Sequence, residues 1–435
     1  MHRSTEPRGA RPADPPSRRA TPGLLLPALY ALATTTFAQP SGVPMTLAAA
    51  ERLALERSPQ VLAQRALADA AHEMASPAGS LPDPKLIAGL ENVPTQGADR
   101  WRLDRDPMTM ARVGLMQEFP GGDKRRLRAE RASRDAERGR IAAGAAATAV
   151  RREVATAWLA RWYAERQAQA IDAQIREARL QAEATAASYR AGRAAQADVL
   201  AVEALLVELA NRATDASLAA ERARLALARY VGAADADRPL ASPPDVLVLP
   251  ESVAQLTDVE RQSDLKLAQA QVRVLDAEAD LAGAARSPDW SAELTYGIRN
   301  PDFGNMISLM VRVDLPWSPG TRQDREQAAK LRERDAARAQ QDDLRRAREA
   351  EVRQTIAEWE ATRTQALRVR EELVPIAERR VEAALAAYRG GGQALAPVLD
   401  ARRAVLDARL AALGFEQSAA RAWAWLATLT SGEPS

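Results

Sequence analysis

The chain has 435 residues, 27% of them charged and only 4% aromatic, with no cysteine and two histidines. So few large side chains suit long helices better than a thick globular core. Without cysteine there is no disulfide, thiolate metal centre, catalytic thiol or lipid-bearing cysteine, and a formal charge of +2 gives no footprint for nucleic acid.

Residues 1–38 read as a secretory signal. Arginines precede an apolar run over 23–32, and Thr36-Phe37-Ala38 before Gln39 resembles a small-residue cleavage site. The polar part ahead of the run is long, so the start residue stays open. Residues 46–76 read as helical, with Thr46 as N-cap and Pro59 marking a break or a new start. His72 falls near the helix end as a surface residue. Residues 79–84, rich in Gly and Pro, end this helix.

Two strands follow, at 85–93 and 108–119. In the second, Ala111, Val113, Leu115 and Phe119 alternate with Arg112, Gly114, Met116 and Glu118. A helical hairpin then spans 123–231: a first rod over 123–188, on the order of 100 Å long at the helical rise, a turn at Tyr189-Arg190-Ala191-Gly192, and a returning helix. Residues 233–250 form an irregular connector and 253–286 one further helix.

The second half repeats this order. Strands are expected at 289–299 and 305–315, and a hairpin at 319–430 with its turn at Tyr388-Arg389-Gly390-Gly391. The two turns align without a gap, 199 residues apart, so the chain is an internal duplication with repeats over 39–250 and 251–435.

Each strand has the length that crosses an outer membrane at a tilt, with one apolar and one polar face and with aromatic residues near its ends (Trp101, Phe119, Trp290, Phe303, Trp317). The alternative is an ordinary sheet covered by helices. Four strands cannot close a membrane barrel, since the smallest need about eight. Three copies would supply about twelve, with the hairpins prolonging the bore as a helical cylinder. The expected fold is therefore mainly α with a small β part. The sequence carries no phosphate loop, His pair or nucleophile elbow, so neither enzyme chemistry nor a cofactor is expected.

The stretch from Met108 to Pro120, followed by Lys124-Arg125, resembles the strand-to-helix junction of the outer membrane factors, the TolC family, nearest its CzcC/CusC heavy-metal branch. Tyr189-Arg190-Ala191-Gly192 leading to Asp198-Val199-Leu200, and Tyr388 through Val398-Leu399-Asp400, resemble that family's two hairpin tips. The resemblance covers about residues 45–430. It implies a homotrimeric outer membrane channel extending into the periplasm of a Gram-negative bacterium. Its partners would be a periplasmic adaptor (membrane fusion protein), an inner-membrane RND pump and outer membrane lipid, with no nucleic acid.

In the family pattern the second tip carries two aspartates three residues apart that narrow the entrance. Here Pro397 stands at the first position and Asp400 at the second, and a family arginine is replaced by Gln393. Asp400, Gln393 and, at the first tip, Asp198 are the entrance candidates. Tyr189, Arg190, Gly192, Tyr388, Arg389 and Gly391 are the candidate adaptor contacts. Met108, Met110, Met116, Met306 and Met310 fall on the polar strand faces, as Cu(I) ligands or as ordinary filler. Heavy-metal cations are the expected cargo, with organic drugs or a type I secretion substrate as alternatives. The rival from another class is a periplasmic coiled-coil scaffold.

Overall fold

The computed structural model describes residues 43–391 and 394–430. The expected signal segment and Gln393 lie outside the described residues.

Helices α1 (Leu47–Arg57) and α2 (Pro59–Ala75) open the described chain. The Thr46 hydroxyl accepts the Ala49 N–H at 3.2 Å and the Ser58 hydroxyl accepts the Val61 N–H at 3.4 Å, so each serves a donor with no intrahelical acceptor. Pro59 occupies the first turn of α2, where its missing N–H costs nothing, and it begins a new helix rather than kinking an old one.

Strands β1 (Lys85–Glu91) and β2 (Met110–Phe119) come next. Both are shorter than expected at the loop end. Asn92 has φ 55, which takes it out of extended backbone. Its amide donates to the Met108 carbonyl at 3.3 Å, and the Thr109 hydroxyl donates to the Asn92 carbonyl at 2.8 Å. Met108 therefore sits in a turn, its N–H given to the Asp106 carboxylate at 2.7 Å.

The rod α3 (Lys124–Arg190) has 67 residues, on the order of 100 Å, and α4 (Gln196–Val231) returns along it. Then come α5 (Ala233–Ala236), α6 (Val253–Leu256) and α7 (Ser263–Ala284). The single helix expected over 253–286 is broken because Gln262 is extended (φ −70, ψ 138) and restarts the chain as α7.

Strands β3 (Asp289–Ile298) and β4 (Met306–Asp314) lead into α8 (Gln323–Arg368), α9 (Val374–Arg389) and α10 (Ala396–Thr430). The second outgoing rod is not continuous: residues 369–373 form one π-helical turn. Pro375 explains it, since it has no N–H to give the Glu371 carbonyl and its ring crowds that carbonyl.

Among the described residues of the helices, three apolar clusters form the core. One surrounds Trp158, one surrounds Trp359, and the third lies near the hairpin ends around Leu205, Leu209 and Leu395. The duplication extends to a hydrogen bond. The Trp158 indole donates to the Met45 carbonyl at 3.2 Å and the Trp359 indole to the Val246 carbonyl at 2.9 Å, each acceptor 113 residues before its donor. Each buried ring thus ties an earlier segment of the chain to its rod.

Candidate functional site

The four strands form one antiparallel sheet in the order β1-β2-β3-β4. Residues directly opposite in such a sheet share a face, so the register decides what each face carries. Leu86 pairs with Leu115, Leu115 with Leu294 and Leu294 with Leu309. Val113, Tyr296 and Ile307 run parallel to that row. This face is apolar from edge to edge and uncovered, with Leu86, Ile307 and Leu309 each more than 70% exposed. A monomeric soluble protein rarely leaves so continuous an apolar surface bare. Among the described residues no helix shields it, which sets aside the alternative of an ordinary sheet covered by helices.

The other face is polar and ion-paired. The Arg112 guanidinium donates to both the Glu91 and Glu293 carboxylates, and Lys85 donates to Glu118. Met116 and Met310 share this face, but their sulfurs lie 3.9 and 4.0 Å from the Arg312 guanidinium. Met110 is buried beside Gly297, and Met306 is exposed at the strand start. Met108 is not on this face at all. A guanidinium beside two of the thioethers repels a metal cation, so the geometry does not assemble a soft ligand set. Among the described residues, no group of three or more His, Cys, Asp or Glu side chains could hold a metal ion.

Both ends of the sheet carry aromatic rings. Phe119 stacks on Trp290 at 4.2 Å at the helical end, where Trp317 also stands exposed. Trp101 and Phe303 lie in the loops at the other end. Two such girdles mark the interfaces of a membrane barrel.

Where sheet meets helix, the structure reveals an elbow that sequence reasoning missed. The Gly121 N–H and the Lys124 ammonium both donate to one Asp289 oxygen, at 2.7 and 2.8 Å, and Lys124 also reaches the Ser287 carbonyl at 2.7 Å. A side chain at Gly121 would collide with the Pro288 carbonyl. The available signal was a lysine shortly after the second strand and an aspartate opening the third, too short a pattern to pair without the register. Deeper in the helices, Glu278 on α7 accepts from Arg131 on α3 and from Lys330 on α8, at 3.0 and 3.3 Å. Burial alone would raise its carboxyl, but those two cations outweigh it and hold it below the ordinary carboxylate value.

The hairpin ends bring the tip candidates into two similar turns. Gly192 and Gly391 both adopt positive φ, 68 and 75, and each donates its N–H to the tyrosine carbonyl three residues earlier, Tyr189 and Tyr388. Only glycine takes that conformation cheaply. Arg190 and Arg389 end their helices. Asp198 caps α4, accepting the Ala195 N–H at 3.1 Å. Asp400 lies one turn into α10, exposed, 3.4 Å from Arg403, which itself reaches Glu208 on α4 at 3.0 Å. One chain does not bring Asp198 and Asp400 together through any hydrogen bond or ion pair among the described residues.

The profile of the family described as outer membrane efflux protein matches residues 51–233 and 259–432, one match in each half of the duplication. The chain belongs to the outer membrane efflux protein family. Solved structures agree with that membership at the level of fold. VceC of Vibrio cholerae is 19% identical with a TM-score of 0.73, the alignment covering 89% of this chain and 96% of VceC. OprN, described as an outer-membrane channel, is 17% identical at a TM-score of 0.74, with 89% and 90% covered. CusC is 14% identical at 0.69, with 92% and 96% covered. Among curated proteins, no sequence matches.

This efflux protein is thus a TolC-type channel of the outer membrane of a Gram-negative bacterium, its helices extending into the periplasm, and not an enzyme. Family membership replaces the scaffold alternative. CusC at 14% identity stands no nearer than VceC at 19%, so the comparisons do not single out a metal branch.

Proposed function

We propose that three copies of the chain close one tube through which cargo, handed over by a periplasmic adaptor and an inner-membrane RND pump, leaves the cell passively. The observation that carries this reading is the open sheet: an apolar face fit for lipid, a polar face fit for a water-filled bore, and unpaired edges at β1 and β4. Lipid tolerates neither edge, so the edges must pair with each other across copies.

The duplication supplies the register of that pairing. The β1–β2 pairs Lys85↔Met116 and Leu86↔Leu115 recur as the β3–β4 pairs Ser291↔Arg312 and Ala292↔Val311. Carrying the β2–β3 register over in the same way sets Leu309 opposite Leu90 of the partner subunit and Val311 opposite Ala88 of the partner subunit. Both faces then continue unbroken. Asp314 lies opposite Asp289 within the chain, a like-charge pair. On its other side the same register sets Lys85 of the partner subunit, which balances it.

At the far end, the two tips form the adaptor-facing entrance. Tyr189, Arg190, Gly192, Tyr388, Arg389 and Gly391 supply its contact surface, and Asp400 from three copies supplies a cation-attracting ring. The trimer reading is tested by extraction: the protein should leave outer membranes only with detergent and have the mass of three chains, and a soluble monomer or dimer refutes it. The ring is tested by Asp400→Ala in planar bilayers. Block by divalent or trivalent cations should weaken, and unchanged block removes Asp400 from the entrance.

Heavy-metal cations remain the proposed cargo on the resemblance of residues 108–125 to one branch of the family. Deleting the gene should lower tolerance to zinc, cobalt, cadmium, copper or silver. Unchanged metal tolerance with new sensitivity to organic drugs rejects that cargo and leaves the conduit standing.

A further inference from the structure

We infer that an open cationic cavity between α1, α2, α3, α7 and the end of α10 binds a soluble phosphate or phosphate monoester, separately from conduction. The cavity measures about 250 Å³ and its wall includes Arg65, Arg140, Arg151, Arg261 and Lys266, with no carboxylate among the lining side chains. Elsewhere along the rods many arginines are matched to acids, as in Arg126–Glu130, Arg131–Glu278 and Arg338–Asp276. Here the side chains of Arg65, Arg140 and Lys266 have neither an ion pair nor a hydrogen bond among the described residues. Arg261 has only Glu251, at 3.9 Å.

An independent observation points to the same charge. Gln262 precedes the first turn of α7, is only 4% exposed, and its side-chain Nε2 finds no acceptor among the described residues. It lines a second cavity that shares Thr148, Ser263, Thr428 and Leu429 with the first. A buried amide donor without an acceptor is costly unless something accepts from it. Beside it the 22-residue helix α7 begins, and the N–H groups of Ser263 and Asp264 have no backbone acceptor among the described residues. The guanidinium forks and the ammonium of the first cavity suit an anion with several oxygens, and the amide donor of the adjoining cavity lies next to it rather than in its wall.

The acids in the neighbourhood do not fill that role. Asp264 is held by Arg348 at 2.5 Å, and its carboxylate takes the Leu265 N–H at 2.9 Å. Glu51 and Glu56 line an adjoining cavity with Arg52, Arg65 and Arg151, and burial pushes the Glu51 carboxyl up against the pull of Arg151. The position selects a soluble ligand over a lipid headgroup. Arg140 lies 16 residues along α3 from the elbow at Lys124, about 24 Å at the helical rise, beyond the reach of a membrane surface at the strand ends.

The test is calorimetric titration of inorganic phosphate into the detergent-extracted, full-length protein. Saturable binding is expected, with equal ionic strength of chloride failing to compete. Arg140→Gln and Lys266→Gln should each weaken it, and together by roughly tenfold or more. Arg353→Gln, an exposed change on α8 outside the cavity, should leave it unchanged. All variants should elute as the parent does, which separates lost binding from lost folding. Absence of saturable binding, or equal affinity in the parent and the Arg140→Gln, Lys266→Gln double variant, overturns the site.

Discussion

The two halves of the chain share a plan and differ where helix meets sheet. In the first half β2 turns into α3 through Pro120, Gly121 and Gly122, and the turn is locked to β3 through Asp289. In the second half β4 reaches α8 through a segment three residues longer between the corresponding proline, Pro316, and the helix start. There a Cβ on Gly320 would meet nothing nearer than the Asp324 carboxylate at 4.0 Å. The join that falls inside one chain is closed by named hydrogen bonds. The second join follows β4, the edge strand of the sheet, so among the described residues no strand flanks it on its outer side, and its contacts run instead to Arg286, which donates to Asp324 at 2.6 Å.

Substitutions in matched pairs sharpen that contrast. The largest effect is expected at the paired tryptophans. Trp158 is fully buried and Trp359 is 6% exposed. Trp158→Ala should lower stability by about 3–5 kcal/mol, and Trp359→Ala by less, read as thermal unfolding midpoints in detergent. Equal losses would mean that the second cluster is packed as tightly as the first.

At the elbow, Gly121→Ala forces its new methyl onto the Pro288 carbonyl and should cost about 1–3 kcal/mol, whereas Gly320→Ala should change the midpoint little. If the two glycines prove equally tolerant, the elbow is not the rigid member of the pair.

A smaller effect is tied to pH. Glu278 joins the rods of both halves, and its carboxyl is depressed by Arg131 and Lys330 against the opposing effect of burial. A depressed carboxylate stabilises the fold above its unfolded pKa, roughly 4.3 for glutamate, and loses that contribution as pH falls through the lower folded value. The midpoint difference between the parent and Glu278→Gln should therefore be largest near neutral pH and shrink below about pH 4. A difference constant across that range would deny the coupling. Smallest in stability, Pro375→Ala should restore an α-helical path through residues 369–373, seen as slower amide exchange there with no matching change in α3.

Much of this was legible in the sequence because long-range order here is written in short-range periodicity. Alternation along Trp290, Ala292, Leu294 and Tyr296 marked a strand with two unlike faces, and the repeated Tyr-Arg-x-Gly turns marked the duplication. The strand ends were less legible, since the positive φ of Asn92 and the carboxylate that takes the Met108 N–H depend on the neighbouring strand. The break at Gln262 and the π turn before Pro375 were hidden by helix-forming neighbours on either side. The elbow joins residues 165 apart, Lys124 and Asp289, and no local pattern reports such a pair. The cationic cavity was invisible for the same reason: Arg65 comes from α2, Arg140 and Arg151 from α3 and Lys266 from α7, each helix with an ordinary charge pattern of its own.

The most direct measurement uses the absence of native cysteine. Leu309→Cys and Leu90→Cys, introduced together and oxidised in isolated outer membranes, should link β4 of one copy to β1 of the next. Directly opposite Cα atoms lie about 4.5–5.5 Å apart, within the range of a disulfide. Denaturing gels should then show dimers and trimers, while Leu309→Cys with Ala88→Cys, displaced by two residues, should link poorly. Monomer only from the first pair, or equal linking by both pairs, would contradict a barrel sealed in the register that the duplication dictates.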